Sequence, residues 1–239
     1  MLQRIISPFK QFGLIGGMLY AMDRAFLRIT SKVRLHFYDI VMQPVPEHPL
    51  LPSRLAAELT AREIRRGDPE LALMPARDEI KESRFRQDAV CLGVYRKNQL
   101  IGYIWFCFGQ YEEDEVRCVF VLEEKEVAAF DFDLYIFPEH RMGRAFIGTW
   151  SEANKFLRSR GIQFTFSRVT RFNAESRRAH AHLGSTVVGH ALFLRAWDIQ
   201  FTIATLFPYV HLCMGRSPAV RMRLRTNVAH AAQRIGIAS

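Results

Sequence analysis

The sequence predicts an α/β (α+β) fold in which helices flank a mixed sheet. Residues 130–137 alternate apolar and polar side chains, which is the period of a β-strand, and Pro138 ends the pattern. Apolar residues then recur at helical spacing from Met142 to Arg160, and a second strand is predicted over residues 162–169. Two strands joined by one helix are expected to lie parallel, through a right-handed crossover.

Capping residues support the limits of the helices in this region. Gly161 stands where the C-terminal cap of the first helix is expected, because glycine adopts the left-handed backbone conformation freely. Asn173 is a favourable N-cap for a later helix that ends near Leu183 and Gly184.

These residues resemble the GNAT superfamily, the acyl-CoA N-acyltransferases. The family's Asn-x-x-Ser/Ala segment, followed by Leu-Gly, is matched by Asn173, Ser176, Leu183 and Gly184, with Ser185 in place of the usual Phe. The resemblance covers roughly residues 35–205. It implies a GNAT-like mixed central sheet of about seven strands with about four flanking helices, preceded here by an N-terminal amphipathic helix.

The family's pyrophosphate-binding turn, [Gln/Arg]-x-x-Gly-x-[Gly/Ala], is degenerate in this chain. Two registers fit, and they place at its three positions either His140, Gly143 and Ala145 or Arg141, Arg144 and Phe146. In the first register His replaces the usual Gln or Arg. In the second register the last two positions are not small.

The start of the helix after Pro138 suits an anionic ligand. Amides at a helix N-terminus have no intrahelical partner, and the helix dipole favours negative charge there. The resemblance implies that the ligand is acetyl-CoA or another acyl-CoA, used as co-substrate. The expected cofactor-binding residues are Ile136, Phe137, Arg141, Met142, Gly143, Arg144, Ala145, Asn173 and Ser176. The alternative is an ordinary strand-to-helix turn with solvated arginines.

The resemblance also implies direct attack of an amine on the thioester, without a covalent acyl-enzyme. In the family a backbone N–H of the central strand polarises the thioester carbonyl, and this position corresponds to Ile136 or Phe137. The amine must lose a proton, since free alkylammonium groups titrate near pH ~10. The departing thiolate benefits from a proton.

Three residues are candidates for the proton transfers. Asp131 and Asp133 share one face of the predicted central strand, and either would act as base, directly or through water. The alternative is pairing with arginines, because an unpaired buried carboxylate is costly. His180 stands seven residues after Asn173, where the family often has a tyrosine general acid, and histidine donates a proton near neutral pH. The alternative for His180 is a surface or packing role.

The composition limits the partners. The net charge of +9 favours anionic ones, such as the pyrophosphate of CoA, a sugar nucleotide or an anionic membrane surface. No nucleic-acid-binding motif is present, so nucleic acid is not an expected partner. The four cysteines lack metal-ligand spacing, so no metal is expected. We interpret them as buried thiols in a reducing compartment, which favours the cytoplasm.

Three regions are expected along the 239 residues: an amphipathic N-terminal helix over 1–34, the GNAT-like acyltransferase domain over 35–210 and a basic tail over 211–239. The helix and the tail would contact the anionic inner face of a membrane peripherally, or the helix covers an apolar patch on its own domain or a partner. No membrane-spanning helix and no cleavable signal peptide is predicted. The sequence leaves open whether the chain forms a homodimer.

The sequence makes four further local predictions. A helix is expected over residues 54–66, and the strand at 116–122 is expected to pair with the strand at 128–137. The acidic segment 112–115 either attracts a cationic amine or is a solvated hairpin tip. The chain after Gly215 is expected to be loosely ordered.

The leading hypothesis is therefore an acyl-CoA-dependent N-acyltransferase that moves an acetyl or longer acyl group to a primary amine. An amino sugar or another precursor of the cell envelope or of a polysaccharide is the expected acceptor, and acyl carrier protein is an alternative donor. The competing hypothesis is a catalytically inactive GNAT-like module that binds an acyl ligand or a membrane or protein partner.

Overall fold

The computed structural model describes residues 2–30, 32–141 and 144–226. The helices are α1 (Leu2–Ile29), α2 (Ser53–Ala56), α3 (Asp78–Arg86), α4 (Ala145–Ser159) and α5 (Ala174–His182). The strands are β1 (Val33–Pro44), β2 (Leu59–Ile64), β3 (Val90–Arg96), β4 (Gln99–Cys107), β5 (Gln110–Glu112), β6 (Cys118–Leu122), β7 (Ala128–Ile136), β8 (Phe164–Thr170), β9 (Thr186–Ala196), β10 (Ile199–Ala204), β11 (Val210–Met214) and β12 (Val220–Leu224).

The chain divides into two compact units. Among the described residues, the first comprises 2–30, 32–43, 112–121 and 168–226, and the second comprises 44–111, 122–141 and 144–167. The division falls within β8, between Ser167 and Arg168.

The sheet of the second unit has the strand order β8-β7-β4-β3-β2. β7 and β8 are parallel, as the crossover rule predicts, whereas the other pairs are antiparallel. α4 packs on this sheet, where Phe156 stacks on Phe106 and Ala145 joins an apolar cluster with Leu59 and Ile136. The predicted fold class, a mixed sheet with flanking helices, is confirmed.

Gly102 allows β4 and β7 to approach closely. A Cβ atom at this position would lie 2.7 Å from Ile136 Cδ1 and 2.7 Å from the carbonyl oxygen of Tyr135. A β-bulge lies beside this glycine. Val94 faces Gly102 while Tyr95 faces Leu100, so Ile101 is the extra residue in the ladder.

The first unit contains the antiparallel order β11-β10-β9-β1 together with α1 and α5. α1 is interrupted at Gly13, whose φ is 73°. Phe12 and Tyr20 of α1 pack against Phe172, with ring centroids 5.8 and 5.4 Å away. The amide of Leu35 donates to the buried Asp23 carboxylate at 3.3 Å. α1 therefore covers part of its own unit, which was one of the two alternatives for this helix.

The predicted helix caps are confirmed. Gly161 has φ 77° and follows the C-cap residue of α4. The Ser176 amide donates to Asn173 Oδ1 at 3.0 Å, and Gly184, with φ 79°, follows the end of α5.

The predicted helix over residues 54–66 is wrong. α2 ends at Ala56, and β2 follows as an antiparallel partner of β3. Leu59 and Ile64 are buried at its two ends, and Arg62 is exposed between them. The helix-forming residues of this segment adopt a strand because pairing with β3 outweighs their intrinsic propensity.

Two other local predictions are also wrong. β6 lies beside β12 in a separate three-stranded sheet, and β7 pairs with β4 and β8 instead.

Residues 220–224, predicted to be loosely ordered, form β12. Val220, Met222 and Leu224 are buried there, and the arginines between them are exposed. The prediction considered only the positive charge of this segment and overlooked its alternation of apolar and basic residues, which is typical of a strand. The rest of the predicted tail, from residue 227, lies outside the described residues.

All four cysteines are free and buried, as predicted. Within the described ranges, no helix is both long and apolar enough to span a membrane.

Candidate functional site

The parallel ladder between β7 and β8 is short. It joins Ala128–Phe130 to Phe164–Phe166, whereas β7 continues to Ile136 along its ladder with β4. Pairing on the β8 side of β7 therefore ends at Phe130, and the residues from Asp131 onward extend beyond it.

The amide of Ile136 points toward this unpaired side. The amide of Phe137 donates to the carbonyl oxygen of Ile101 on β4, at 3.1 Å. Successive amides of a strand point to opposite sides, so the amide of Ile136 faces away from β4. Of the two positions predicted to polarise a thioester carbonyl, the geometry favours Ile136.

A β-bulge precedes this position. Tyr135 faces Tyr103 and Phe132 faces Trp105, so two residues of β7 lie opposite one residue of β4. Asp133, within the bulge, has φ 47°, a conformation that non-glycine residues rarely adopt but that aspartate tolerates. Such local strain costs on the order of 1–3 kcal/mol and tends to occur at functional sites.

Asp133 forms an ion pair with the buried Arg84 of α3. The guanidinium also lies over the rings of Trp105 and Phe132, with centroids 5.4 and 5.3 Å away. The Asp133 carboxylate is therefore occupied by a guanidinium. The structure thus supports the pairing alternative for Asp133, while its role as a base stays a prediction.

Asp131 has a different environment. It is 3% exposed, directly after the paired part of β7. Burial raises the pKa of Asp131 to about 7, and the nearby hydroxyls of Thr165 and Ser167 lower it by less. Its Oδ1 atom and both hydroxyl oxygens lack a well-formed hydrogen bond among the described residues. Asp131 is therefore better suited than Asp133 to accept a proton near neutral pH.

The start of α4 carries no side-chain cap within the described residues. Arg144 is the exposed N-cap residue, and its carbonyl accepts the first helical hydrogen bond, from Gly148, at 2.8 Å. The first turn contains no acidic residue. Met142 and Gly143 lie outside the described residues. The helix therefore presents a cationic N-terminus without an internal carboxylate to neutralise it.

Arg141 lies beside the end of β7. Its Nε donates to the carbonyl oxygen of Ile136 at 3.0 Å, and its guanidinium lies over the Tyr135 ring at 5.3 Å. The carbonyl and amide of a strand residue point to the same side, so Arg141 is on the side of β7 that faces away from β4. The second unit thus contains the following predicted site residues: Asp131, Asp133, Ile136, Phe137, Arg141, Arg144 and Ala145.

Asn173, Ser176 and His180 lie in the first unit. Asn173 and Ser176 form the α5 cap, which gives both a structural role, and cofactor binding by them stays a prediction. His180 Nδ1 is 3.3 Å from Gln43 Oε1, and burial lowers the pKa of His180 to about 4. The imidazole is therefore neutral at pH 7, which counts against the general-acid role and supports packing.

The acidic segment 112–115 is exposed at three of its four residues, as expected for a solvated tip, and Glu113 is the exception. The Glu113 side chain is 0% exposed and pairs with Arg168 at 2.6 Å. Arg168 also reaches Glu115 at 3.0 Å, and the Tyr38 hydroxyl donates to Glu115 at 2.8 Å. Glu113 fits neither alternative: its carboxylate accepts from the amides of Glu115 and Val116 and pairs with Arg168.

Sequence reasoning missed a second buried carboxylate in the first unit. Asp39 of β1 lies 2.8 Å from His190 Nδ1, 3.3 Å from Arg177 and 3.4 Å from Arg171. In the sequence, the signal for this site is that Asp39 is a single charged residue within the apolar segment of β1. Among the described residues, no group of three His, Cys, Asp or Glu side chains is arranged to hold a metal ion.

Comparisons with known proteins found similar solved structures. Several of the solved structures that are similar to this chain are described as GNAT acetyltransferases. The sequence matches no protein-family model and no curated protein.

Three matched structures illustrate the degree of likeness. A protein of unknown function from Staphylococcus epidermidis is 10% identical with a TM-score of 0.50, covering 73% of this chain and 66% of that one. A tandem GNAT protein of clavulanic acid biosynthesis is 15% identical with a TM-score of 0.42, covering 64% and 50%. A Salmonella typhimurium protein described as an acetyltransferase, solved with its cofactor acetyl-CoA, is 16% identical with a TM-score of 0.37, covering 53% and 79%. The chain thus spans about two thirds of the first protein and half of the second, and at these identities the likeness concerns the fold.

Proposed function

We propose that this protein is an acyl-CoA-dependent N-acyltransferase, which transfers an acetyl or longer acyl group to a primary amine. The observation that carries the proposal is the amide of Ile136, which points away from β4 beyond the last β7–β8 pair. A fixed amide in this position would donate to the thioester carbonyl and stabilise the oxyanion that forms during attack.

The neighbouring residues would bind the rest of the donor. The uncapped start of α4, with Arg144 exposed at its N-cap, suits the pyrophosphate of CoA. Arg141, on the same side of β7 as the Ile136 amide, would add a charge-assisted contact. Asp131 is buried, so it would receive the proton of the amine through a water molecule rather than directly.

For the acceptor we propose an amino sugar that carries phosphate, such as a nucleotide-linked precursor of the cell envelope or of a polysaccharide. The net charge of +9 supports an anionic acceptor, since opposite charge raises the rate of encounter. The four free, buried thiols support a cytoplasmic location.

The competing proposal is a module that binds an acyl ligand without turnover. The ion-paired Asp133 and the neutral His180 favour it, because neither has the proton-transfer property that the sequence suggested. Free-thiol release from acetyl-CoA with a panel of amino sugars separates the two proposals, because a binding module is stabilised by acyl-CoA but releases no thiol.

A charge reversal tests the cofactor site. Arg144→Glu should weaken acetyl-CoA binding about tenfold, because it places a carboxylate beside the pyrophosphate. Lys125→Glu, in the exposed turn before the opposite end of β7, makes the same charge change and should leave binding unaltered. Affinity is measured by calorimetry or thermal shift with acetyl-CoA, a longer acyl-CoA and CoA. If the two variants bind acetyl-CoA with equal affinity, the start of α4 is not part of the cofactor site.

We also propose a peripheral membrane contact through α1. Leu14, Met18 and Met22 recur every four residues and are 72, 53 and 44% exposed, and Arg24 is exposed nearby in sequence. An apolar stripe beside basic residues suits an anionic lipid surface. The triple variant with glutamine at the three apolar positions should lose flotation with phosphatidylglycerol vesicles. Failure of the unaltered chain to float would end this proposal.

A further inference from the structure

The outer face of the β9–β10–β11 sheet is apolar and exposed. Ile199, Phe201 and Ile203 of β10 face Met214, Leu212 and Val210 of β11, in that order. All six are between 38 and 60% exposed. Leu194 of β9, opposite Phe201, is 37% exposed and extends the same face.

The polarity of β10 is the reverse of that expected for a sheet with one solvated face. Its buried face consists of Gln200, Thr202 and Ala204, of which the first two are 1 and 0% exposed. Gln200 is satisfied there by the backbone of Arg117, whose amide donates to Oε1 at 2.8 Å and whose carbonyl accepts from Nε2 at 3.0 Å. The chain thus places its large apolar residues on the outside and its polar ones inside, which indicates that the outer face is covered.

The area of this face matches a stable protein interface. The turns that flank β10 and β11 add Trp197, Phe207 and Tyr209, which are 64, 69 and 62% exposed. Aromatic side chains have areas of about 150–250 Å² and aliphatic ones somewhat less, so the exposed apolar surface of the strands and these turns together is on the order of 1,000 Å². The largest apolar patch on a monomer is typically about 300–600 Å², and each partner of a standard interface contributes about 800 Å².

The strand positions of this face carry no charge that would repel a second copy of the chain. Two chains that each carry a net charge of +9 repel each other, so they can associate closely only through a face without charge. The strand positions of this face carry no Lys, Arg, Asp or Glu: the charged Arg195 lies opposite Gln200, on the other face. An acidic protein or an anionic lipid surface would instead require basic residues within the contact.

We propose that the β9–β10–β11 face packs against the same face of a second copy, about a two-fold axis. Two sheets stacked face to face about 10 Å apart bury their apolar side chains between them. A two-fold axis lets one self-complementary patch serve both chains. This inference is independent of the proposed acyltransfer.

The mass of the full chain in solution tests the proposal. Light scattering coupled to size exclusion should give twice 27.7 kDa for the unaltered chain. Leu212→Lys, in the centre of the face, should halve the mass. Leu73→Lys makes the same change at a position that is 59% exposed in the second unit, against 54% for Leu212, and should leave the dimer intact.

Phe201→Thr provides a second test, because it keeps a strand-forming residue while removing the central ring. Circular dichroism should show that both variants of the face remain folded, since the altered side chains are exposed. A monomeric unaltered chain overturns the proposal, as does a dimer that survives both variants. The unaltered chain could instead be a monomer that floats with phosphatidylglycerol vesicles and loses flotation on Leu212→Lys. That result would show that the face binds a membrane, and it would also overturn the dimer proposal.

Discussion

Asp131 and Asp133 show how two neighbouring carboxylates acquire different properties from their surroundings. The side chain of Asp133 is 31% exposed and holds Arg84, whereas Asp131 is buried beside two hydroxyls. The sequence places both on one face of a strand and cannot distinguish them, because Arg84 lies 49 residues away in the chain. A bulge and a distant helix decide which one is paired.

The raised pKa of Asp131 predicts a characteristic pH dependence of stability. Its pKa rises from 3.8 in the unfolded chain to about 7 in the folded chain, so the folded state binds more protons between those values. Stability should therefore fall as pH rises from about 4 to about 7, by at most about 4 kcal/mol. Asp131→Asn should flatten this dependence and gain stability relative to the unaltered chain at pH 8.

Urea unfolding at pH 5 and pH 8 measures this effect, with Glu47→Gln as a control for loss of an exposed carboxylate. If Asp131 is the base, its replacement should also lower turnover while acetyl-CoA affinity is retained. A pH dependence that is identical in Asp131→Asn and the unaltered chain would show that Asp131 titrates normally.

At the scale of elements, β7 combines a bulge, a close approach and a short parallel ladder. The absence of a side chain at Gly102 allows β7 to lie close to β4. The bulge at Asp133 shifts the pairing register of β7 with β4 before Ile136. The period of the sequence predicted the strand and its parallel partner. It did not predict where their pairing ends, because pairing depends on the neighbouring strand as well as on the sequence of β7 itself.

The Arg84–Asp133 pair should be coupled in stability. Asp133→Asn keeps a residue that tolerates φ 47° but leaves the guanidinium without its carboxylate, and should cost about 2–4 kcal/mol after allowance for partial exposure. Arg84→Met with Asp133→Asn should cost less than the two single changes combined. Urea unfolding of the four chains in a double-mutant cycle measures this coupling, and strictly additive costs would show that the pair contributes nothing.

At the scale of the whole molecule, the sequence predicted the fold class, the β7–α4–β8 crossover and the caps at Gly161 and Asn173. Predictions that relied on one local property were wrong. Helix propensity predicted a helix over the segment in which β2 pairs with β3. Positive charge predicted a loosely ordered tail, but residues 220–224 form β12, in which buried and exposed side chains alternate. The apolar outer face of β10 was also missed, because alternation reveals two faces but not which of them is buried.

The most direct test of the account concerns the amide of Ile136. The chain can be labelled with 15N-isoleucine and titrated with the acetonyl thioether of CoA, which keeps the carbonyl but cannot transfer it, and in parallel with CoA. We predict that the Ile136 amide resonance, assigned through Ile136→Val, shifts downfield with the carbonyl analogue and much less with CoA, because its N–H donates to that carbonyl. An Ile136 resonance unmoved at saturating analogue, or no binding of either ligand, would contradict the proposed acyltransferase.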